Sequence, residues 1–348
     1  MSRSSEILNI LAKNFCSSEE ILLALQNQEL TISRATLKRD LEKLLAKNLI
    51  IRTGKAKATK YSLSKISGLL KEINIQKYFE EDSNRRTVIE NFNFKILNLL
   101  LNNSDKVFSP AELIKIEDLN KRYQKARSGS SETINKKTIE NFTIEFAWKS
   151  SKIEGNKYDI YEAETLIKTG ITAGGKTKDD AVMLLNHKAA MDYIFDKPKY
   201  FTNLDLKKIF ELHTILTKEL NVQSGIRKRI VVIGGTKYKP LDNPFQIEES
   251  LEQICLIINK AIHPIIKAIL ASALIAYLQA FEDGNKRSSR VLANAILLAH
   301  DYCPISYANV DETEYKKAIV LFYEQNNLSY FKQLFIEQFE FAVGNYWL

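Results

Sequence analysis

Cysteine, proline and glycine are all scarce in this chain of 348 residues, at 3, 6 and 12. Cys16, Cys255 and Cys303 are odd in number and scattered. That speaks against a disulfide framework or a cysteine-ligated metal and fits a reducing cytoplasm. So little glycine and proline excludes a fibrous or disordered chain. No apolar run approaches the ~20 residues of a membrane span, and the polar opening Met1-Ser-Arg-Ser-Ser-Glu6 is not a signal peptide. His187, His213, His263 and His300 show no ligand spacing. What is present is a chain 45% hydrophobic and 26% charged, long enough for two or three cored domains. The expectation is a soluble cytoplasmic protein with no membrane partner.

Its formal charge of +8 is unevenly spread. Between Ser33 and Lys60 nine bases (Arg34, Lys38, Arg39, Lys43, Lys47, Arg52, Lys55, Lys57, Lys60) face only Asp40 and Glu42. A charge run is ordinarily a solvated helix face; the pattern around this one says more. Ile7, Leu8, Ile10 and Leu11 mark an amphipathic helix. Ser17-Ser-Glu-Glu20 is a capping box opening a second, with Ile21, Leu22 and Leu25 inward. Ser33 caps a third, with Leu37, Leu41, Leu44 and Leu45 inward. Leu49-Ile-Ile-Arg52 and Thr59-Lys-Tyr-Ser-Leu63 then read as two strands around the turn Thr53-Gly-Lys-Ala-Lys57.

Three helices and a basic hairpin over residues 1–66 resemble the winged helix-turn-helix of bacterial transcription regulators, with Ile32–Leu41 similar to the recognition helix of DeoR-like members. The resemblance implies double-stranded DNA as partner, with Arg34, Thr36, Lys38 and Arg39 in the major groove and Lys55 and Lys57 in the wing near phosphates. Arginine can read guanine edges, while lysine and helix N-termini suit phosphates.

Residues 67–135 read as a helical connector without chemistry of its own. Glu80-Glu-Asp-Ser-Asn-Arg-Arg86 is a charged interruption, Ser109-Pro110 starts a helix, and Lys125–Glu132 is the most loop-like stretch of the chain.

Ala271–Phe281 reads as a buried helix ending at Glu282-Asp-Gly-Asn-Lys286, after which a new helix opens with Arg287 and Arg290. Such a turn gathers backbone N–H groups into an anion nest, with Lys286, Arg287 and Arg290 adding charge. Asp283 beside it could hold a divalent metal that bridges phosphates.

The stretch Gln279-Ala-Phe-Glu-Asp-Gly-Asn-Lys-Arg-Ser-Ser-Arg290 resembles the signature of Fic-domain proteins, His-Pro-Phe-x-Asp-Gly-Asn-(Gly/Lys)-Arg-x-x-Arg. Ser150-Ser-Lys-Ile-Glu154-Gly155-Asn156 is similar to the family's inhibitory motif. Leu185–Ala189 and Glu211–Leu216 are similar to segments between the two motifs. Gly225-Ile-Arg227 and Val231–Tyr238 resemble its flap, whose target-facing positions would be Val231, Ile233 and Tyr238. The resemblance spans about residues 136–340 and implies, over 136–348, an all-helical fold with a β-hairpin flap. The expected fold class is thus mainly α: a winged helix-turn-helix, a connector and a Fic fold. It also implies ATP or a related nucleotide with Mg2+, cradled by Phe281, Gly284, Asn285, Lys286, Arg287 and Arg290, with Asp283 on the metal. Arg290 would bind either the γ-phosphate or the inhibitory Glu154.

One position departs from that pattern. Gln279 stands where the family has its catalytic histidine, and Ala280 where it has proline. An amide has no pKa near neutrality and cannot act as general base, a loss that typically costs ~10²–10⁴ in rate. His263-Pro264 starts the preceding helix and cannot replace it, and His213 reads as a packed core residue. Two expectations follow. The first is a DNA-binding regulator, open to homodimerisation, whose degenerate Fic domain senses a nucleotide as a pseudoenzyme. The second is an enzyme that transfers AMP to, or removes it from, a hydroxyl of a protein target at the flap, restrained by Glu154.

Overall fold

The apolar spacings and caps of the first 63 residues form the elements expected of them. In the computed structural model, which describes residues 3–347 and of Lys57 only the backbone, α1 spans Arg3–Leu11, α2 Ser18–Gln26 and α3 Arg34–Ala46. Met1, Ser2 and Leu348, at the ends of the two expected domains, lie outside the described residues. Ser17 and Glu20 form the capping box of α2, and the Ser33 side chain accepts from the Thr36 amide at the start of α3. Strands β1 (Ile50–Thr53) and β2 (Lys60–Leu63) pair antiparallel, Ile50 opposite Leu63. Gly54 makes the turn possible, with φ +79° and a position where any Cβ would sit 2.1 Å from the Ala58 carbonyl oxygen. Among the described residues this is the one registered ladder.

The rest is helical. Short α4 (Ser67–Leu70) and α5 (Ile75–Glu80) lead to α6 (Phe94–Asn103), α7 (Pro110–Gly129) and α8 (Glu132–Ile153). The stretch expected to be most loop-like is largely helix. Only Ser130 and Ser131 interrupt it, because Ile116, Asn120 and Tyr123 bury one face of α7 and Ser131 caps α8. The expected boundary at 135/136 therefore falls inside the first turn of α8. Then follow α9 (Ile160–Thr169), α10 (Lys178–Asp196), α11 (Leu206–Thr217), α12 (Pro244–Lys260), α13 (Pro264–Leu278), α14 (Asn285–Ala299), α15 (Glu312–Gln325) and α16 (Ser329–Tyr346).

At the centre lies α13, buried on every side from Ile265 to Leu278. A helix apolar all round belongs in the middle of a core, and α8, α10, α11, α12, α14 and α15 pack around α13 and its partner α14. The first 70 residues share this core and are docked by polar bonds. Asn48 donates to the Lys106 and Phe108 carbonyls at 3.0 and 3.1 Å, and the Leu328 amide donates to the Leu69 carbonyl at 2.7 Å. No helix among the described residues is long and apolar enough to cross a membrane.

Candidate functional site

The turn between α13 and α14 gathers the charged side chains of the expected site. Gln279 ends α13 in the left-handed region, at φ 54°, and Gly284 precedes α14 at φ 80°. These two residues reverse the chain and open α14, whose first amides lack intrahelical acceptors. A Cβ on Gly284 would meet Thr217 Cγ2 at 3.1 Å. Gly284→Ala is therefore expected to lower stability by about 1–3 kcal/mol, the usual cost of a strained φ, as read by chemical denaturation.

Gln279 does not face a reactant. Its Nε2 donates to the Ala276 carbonyl at 2.6 Å and to the Tyr323 hydroxyl at 3.3 Å, and its Oε1 accepts from Asn285 Nδ2 at 3.2 Å. Both amide hydrogens and the carbonyl oxygen have interior partners, and the residue is only 7% exposed. The backbone here is clamped as well: Arg227, itself buried, donates from Nε to the Gln279 carbonyl at 2.6 Å and from its amide to the Ala280 carbonyl at 3.0 Å.

Arg287 is buried, and its Nη2 lies 2.9 Å from Asp283 Oδ2. Asp283 is exposed and also accepts from the Gly284 amide at 2.6 Å. No group of three or more His, Cys, Asp or Glu side chains among the described residues could hold a metal ion. One carboxylate beside a helix N-terminus fits Mg2+ only where ligand phosphates complete the shell. Phe281 and Asn285 brace the turn from within: Phe281 is fully buried and stacks on His213, and the Asn285 side chain bonds the Phe281 amide and carbonyl. Their backbones line the turn; their side chains do not open to it. His213 is the core residue its setting suggested, with Nε2 donating to the Asp283 carbonyl at 3.0 Å. His263 caps the far end of α13, opposite Gln279, and pairs with Glu117 at 2.9 Å.

The other partner is the C-terminus of α8. Glu154, its C-cap, sits 2.9 Å from Arg290 Nη1 and 3.3 Å from Lys286 Nζ. Arg290 is wholly buried, and its Nε and Nη2 donate to Ser150 Oγ and the Ser150 carbonyl, both at 2.9 Å. Gly155, at φ 98°, lets the chain leave the helix directly after the glutamate. Burial alone would raise the Glu154 pKa, but Arg290 and Lys286 outweigh it and hold the carboxyl down at about 2. The sign follows from linkage. Stability from this pair is complete above the ordinary glutamate pKa of ~4.3 and drains away as pH falls toward about 2. Glu154→Gln is accordingly expected to unfold more readily than wild type at pH 7, with the gap narrowing below about pH 4 in pH-dependent denaturation.

Sequence reading missed the backing of this pair. The Ser150 hydroxyl lies 2.9 Å from His187 Nε2, and His187 Nδ1 lies 2.8 Å from the Met183 carbonyl. With Nδ1 donating to that carbonyl, Nε2 accepts from Ser150, whose oxygen in turn accepts from Arg290. Burial first, then the nearby Arg287, push the His187 pKa down to about 3, so the ring is neutral. The only signal in the sequence was the short likeness at Leu185–Ala189.

Residues 228–241 fold back over the site at Gly234-Gly235, without a registered ladder. Val231 and Ile233 are half-buried, Ile230 and Val232 are exposed, and Tyr238 belongs to the interior. Its hydroxyl donates to the Tyr277 carbonyl at 2.8 Å and its ring stacks on Tyr277. Tyr238 thus anchors the segment and does not face outward. Beneath the fold-back lies a cleft of about 290 Å³, lined among others by Ile153, Ile233, Gly234, Lys286 and Tyr315.

Residues 203–297, which include the whole turn, match the model of the Fic/DOC family. The chain carries a Fic/DOC domain. It is 26% identical over 171 residues to Protein adenylyltransferase Fic of Drosophila willistoni, covering 48% of this chain and 34% of that protein. The Drosophila melanogaster protein of the same name matches at 26% over 48% of this chain and 35% of its own length. The matches span about a third of these relatives, 34–35% of their length. Among solved structures, Fic-1 of C. elegans superposes with a TM-score of 0.55 at 17% identity, covering 72% of this chain and 79% of that one. A Fic domain containing signaling protein from Bacteroides thetaiotaomicron gives 0.54 at 20% identity, covering 66% and 96%. At these identities the likeness is one of fold alone.

Two groups of expected residues stay apart. Asp283, Lys286, Arg287, Arg290, Ser150 and Glu154 converge on one turn. The basic residues of the first 60 lie elsewhere, on α3 and the β1–β2 turn. There Arg34, Lys38, Arg39 and Lys55 are exposed, Thr36 is half-buried with its hydroxyl 3.0 Å from Ser33 Oγ, and the Lys57 side chain lies outside what is described.

Proposed function

We propose that the protein is a DNA-binding regulator whose Fic domain holds an adenine nucleotide as a signal and does not turn it over. The observation that carries the reading is Gln279. In the position of a proton acceptor stands an amide whose hydrogens and oxygen are all engaged inside the protein. The phosphate-binding parts remain. Gly284, Asn285 and Lys286 would offer α14 amides to phosphates and Arg287 its guanidinium, while Asp283 would hold Mg2+ against them. Magnesium supplies charge neutralisation between phosphates.

Glu154 supplies the two-state element. A γ-phosphate and the Glu154 carboxylate would compete for Arg290 and Lys286, so a triphosphate binds only as the glutamate withdraws. The exposed bases of α3 and the β1–β2 turn support DNA as the partner that reads the outcome, in the manner of a winged helix. Glu154→Gly is expected to raise the thermal midpoint gained with ATP and Mg2+ relative to wild type in a thermal-shift titration. An equal or smaller gain would count against the competition.

A second reading is favoured by the intact Asp283–Arg287 turn: an enzyme that transfers AMP to, or removes it from, a protein hydroxyl presented at residues 230–233. Gln279 would first have to leave three interior bonds. Incubation with ATP labelled in the α-phosphate separates the two readings, because strong labelling by the wild type would end the sensor.

A further inference from the structure

We propose that Arg86 is the positioning residue of the fold-back over the cleft, and that residues 78–93 form its backing. This part of the connector carried no expected chemistry, and Arg86 stood within a charged run. In the fold it is 5% exposed. Its Nε and Nη2 each lie 3.0 Å from a Glu324 carboxylate oxygen, on a glutamate that is fully buried. The same Nη2 donates to the Gly235 carbonyl at 2.8 Å, and Nη1 to the Glu81 carbonyl at 3.2 Å. The rings of Tyr78 and Phe79 lie 5.7 and 5.0 Å from its guanidinium carbon.

Gly235 sits at the tip of the reversal. The two limbs are tied elsewhere. Arg227 donates to the Arg229 and Leu241 carbonyls at the base, and the Lys239 amide donates to the Glu90 carbonyl at 2.6 Å. Ile89 in turn donates its amide to the Glu324 carbonyl at 2.7 Å, so residues 86–90 run between the end of α15 and the fold-back. Among these ties, Arg86 is the one at the tip. A buried ion pair by itself is weak evidence for stability. What the guanidinium adds is a rigid fork that meets a carboxylate and a carbonyl at once, which a lysine cannot match. The tip it holds includes Gly234, a wall of the cleft next to Lys286. The consequence for ligand entry rests on the nucleotide reading; the anchoring does not.

The test places a nitroxide on Val232→Cys in a Cys16→Ser background of the full chain, Val232 being 90% exposed. Its spectrum is recorded alongside the thermal midpoint. Arg86→Lys keeps a charge for Glu324 but cannot also reach Gly235, so the mobile spectral component is expected to become dominant with the midpoint little changed. Glu324→Gln leaves the Arg86–Gly235 bond and is expected to keep the wild-type spectrum. An unchanged spectrum in Arg86→Lys would overturn the proposal. So would equal mobility in both variants accompanied by a common fall in midpoint, since Arg86 would then serve only the fold. Binding of ATP with Mg2+ to the wild type, measured separately, judges the nucleotide reading alone.

Discussion

Glu154→Gly with Gln279 in place is expected to transfer no AMP above background from α-labelled ATP, whereas Gln279→His combined with Glu154→Gly is expected to label itself. The gap should be on the order of 10²–10⁴, the usual contribution of general base catalysis. Removing Glu154 frees Arg290 and Lys286, which it holds at 2.9 and 3.3 Å, but it supplies no proton acceptor. The histidine supplies one on a backbone that should not shift, because Arg227 grips the carbonyls on both sides of the 279–280 bond. The side chain loses its interior bonds to Ala276, Tyr323 and Asn285, and with them its reason to point inward. A clear signal from Glu154→Gly alone would show that positioning suffices without a base, and the protein would move to the enzyme reading.

DNA retention in a gel shift is expected to collapse as salt rises from 50 to 200 mM. Each phosphate neutralised contributes close to one unit of slope in log affinity against log salt, so six contacts or more would cost ~10³ or more over that range. Arg34, Lys38 and Arg39 are exposed on α3, with Glu19 3.8 Å from Arg34 and Glu42 4.0 Å from Lys38. Pairs so long and exposed are worth little, so on the proposed reading they would give way to phosphates. Arg34→Ala with Arg39→Ala should flatten sequence preference, while Lys55→Ala should weaken all sequences alike and lower the salt slope by about one. Salt-independent retention, or a double variant that binds as the wild type does, would remove DNA from the account.

Local rules carried much of the fold into view. Capping boxes and apolar spacings placed α1–α3 and both strands to within a residue or two, because each is decided by neighbours along the chain. The α13–α14 turn was equally plain, since Glu282-Asp283-Gly284-Asn285 breaks one apolar run from the next. What stayed hidden depends on contacts distant in sequence. Ser128-Gly129 looked like a loop, yet packing of Tyr123 against Trp347 holds that helix together. Arg86 stood in a stretch read as a charged interruption, and Glu324, 238 positions away, takes it into the interior. Tyr238 looked like a face for a target, and its hydroxyl turns instead to Tyr277. No periodicity encodes such partners.

Calorimetric titration of ATP with Mg2+ into Glu154→Gly, alongside Glu154→Gly with Arg287→Ala, tests the central claim most directly. A Fic domain that keeps its cradle should bind saturably in the first protein. The second should lose most of that affinity, because the phosphates then lose the Arg287 guanidinium beside the turn and keep only Arg290 and Lys286, deeper toward the Glu154 position. Binding with no chemical turnover of the nucleotide is the predicted result. Absence of binding in Glu154→Gly, with the protein folded, would contradict it.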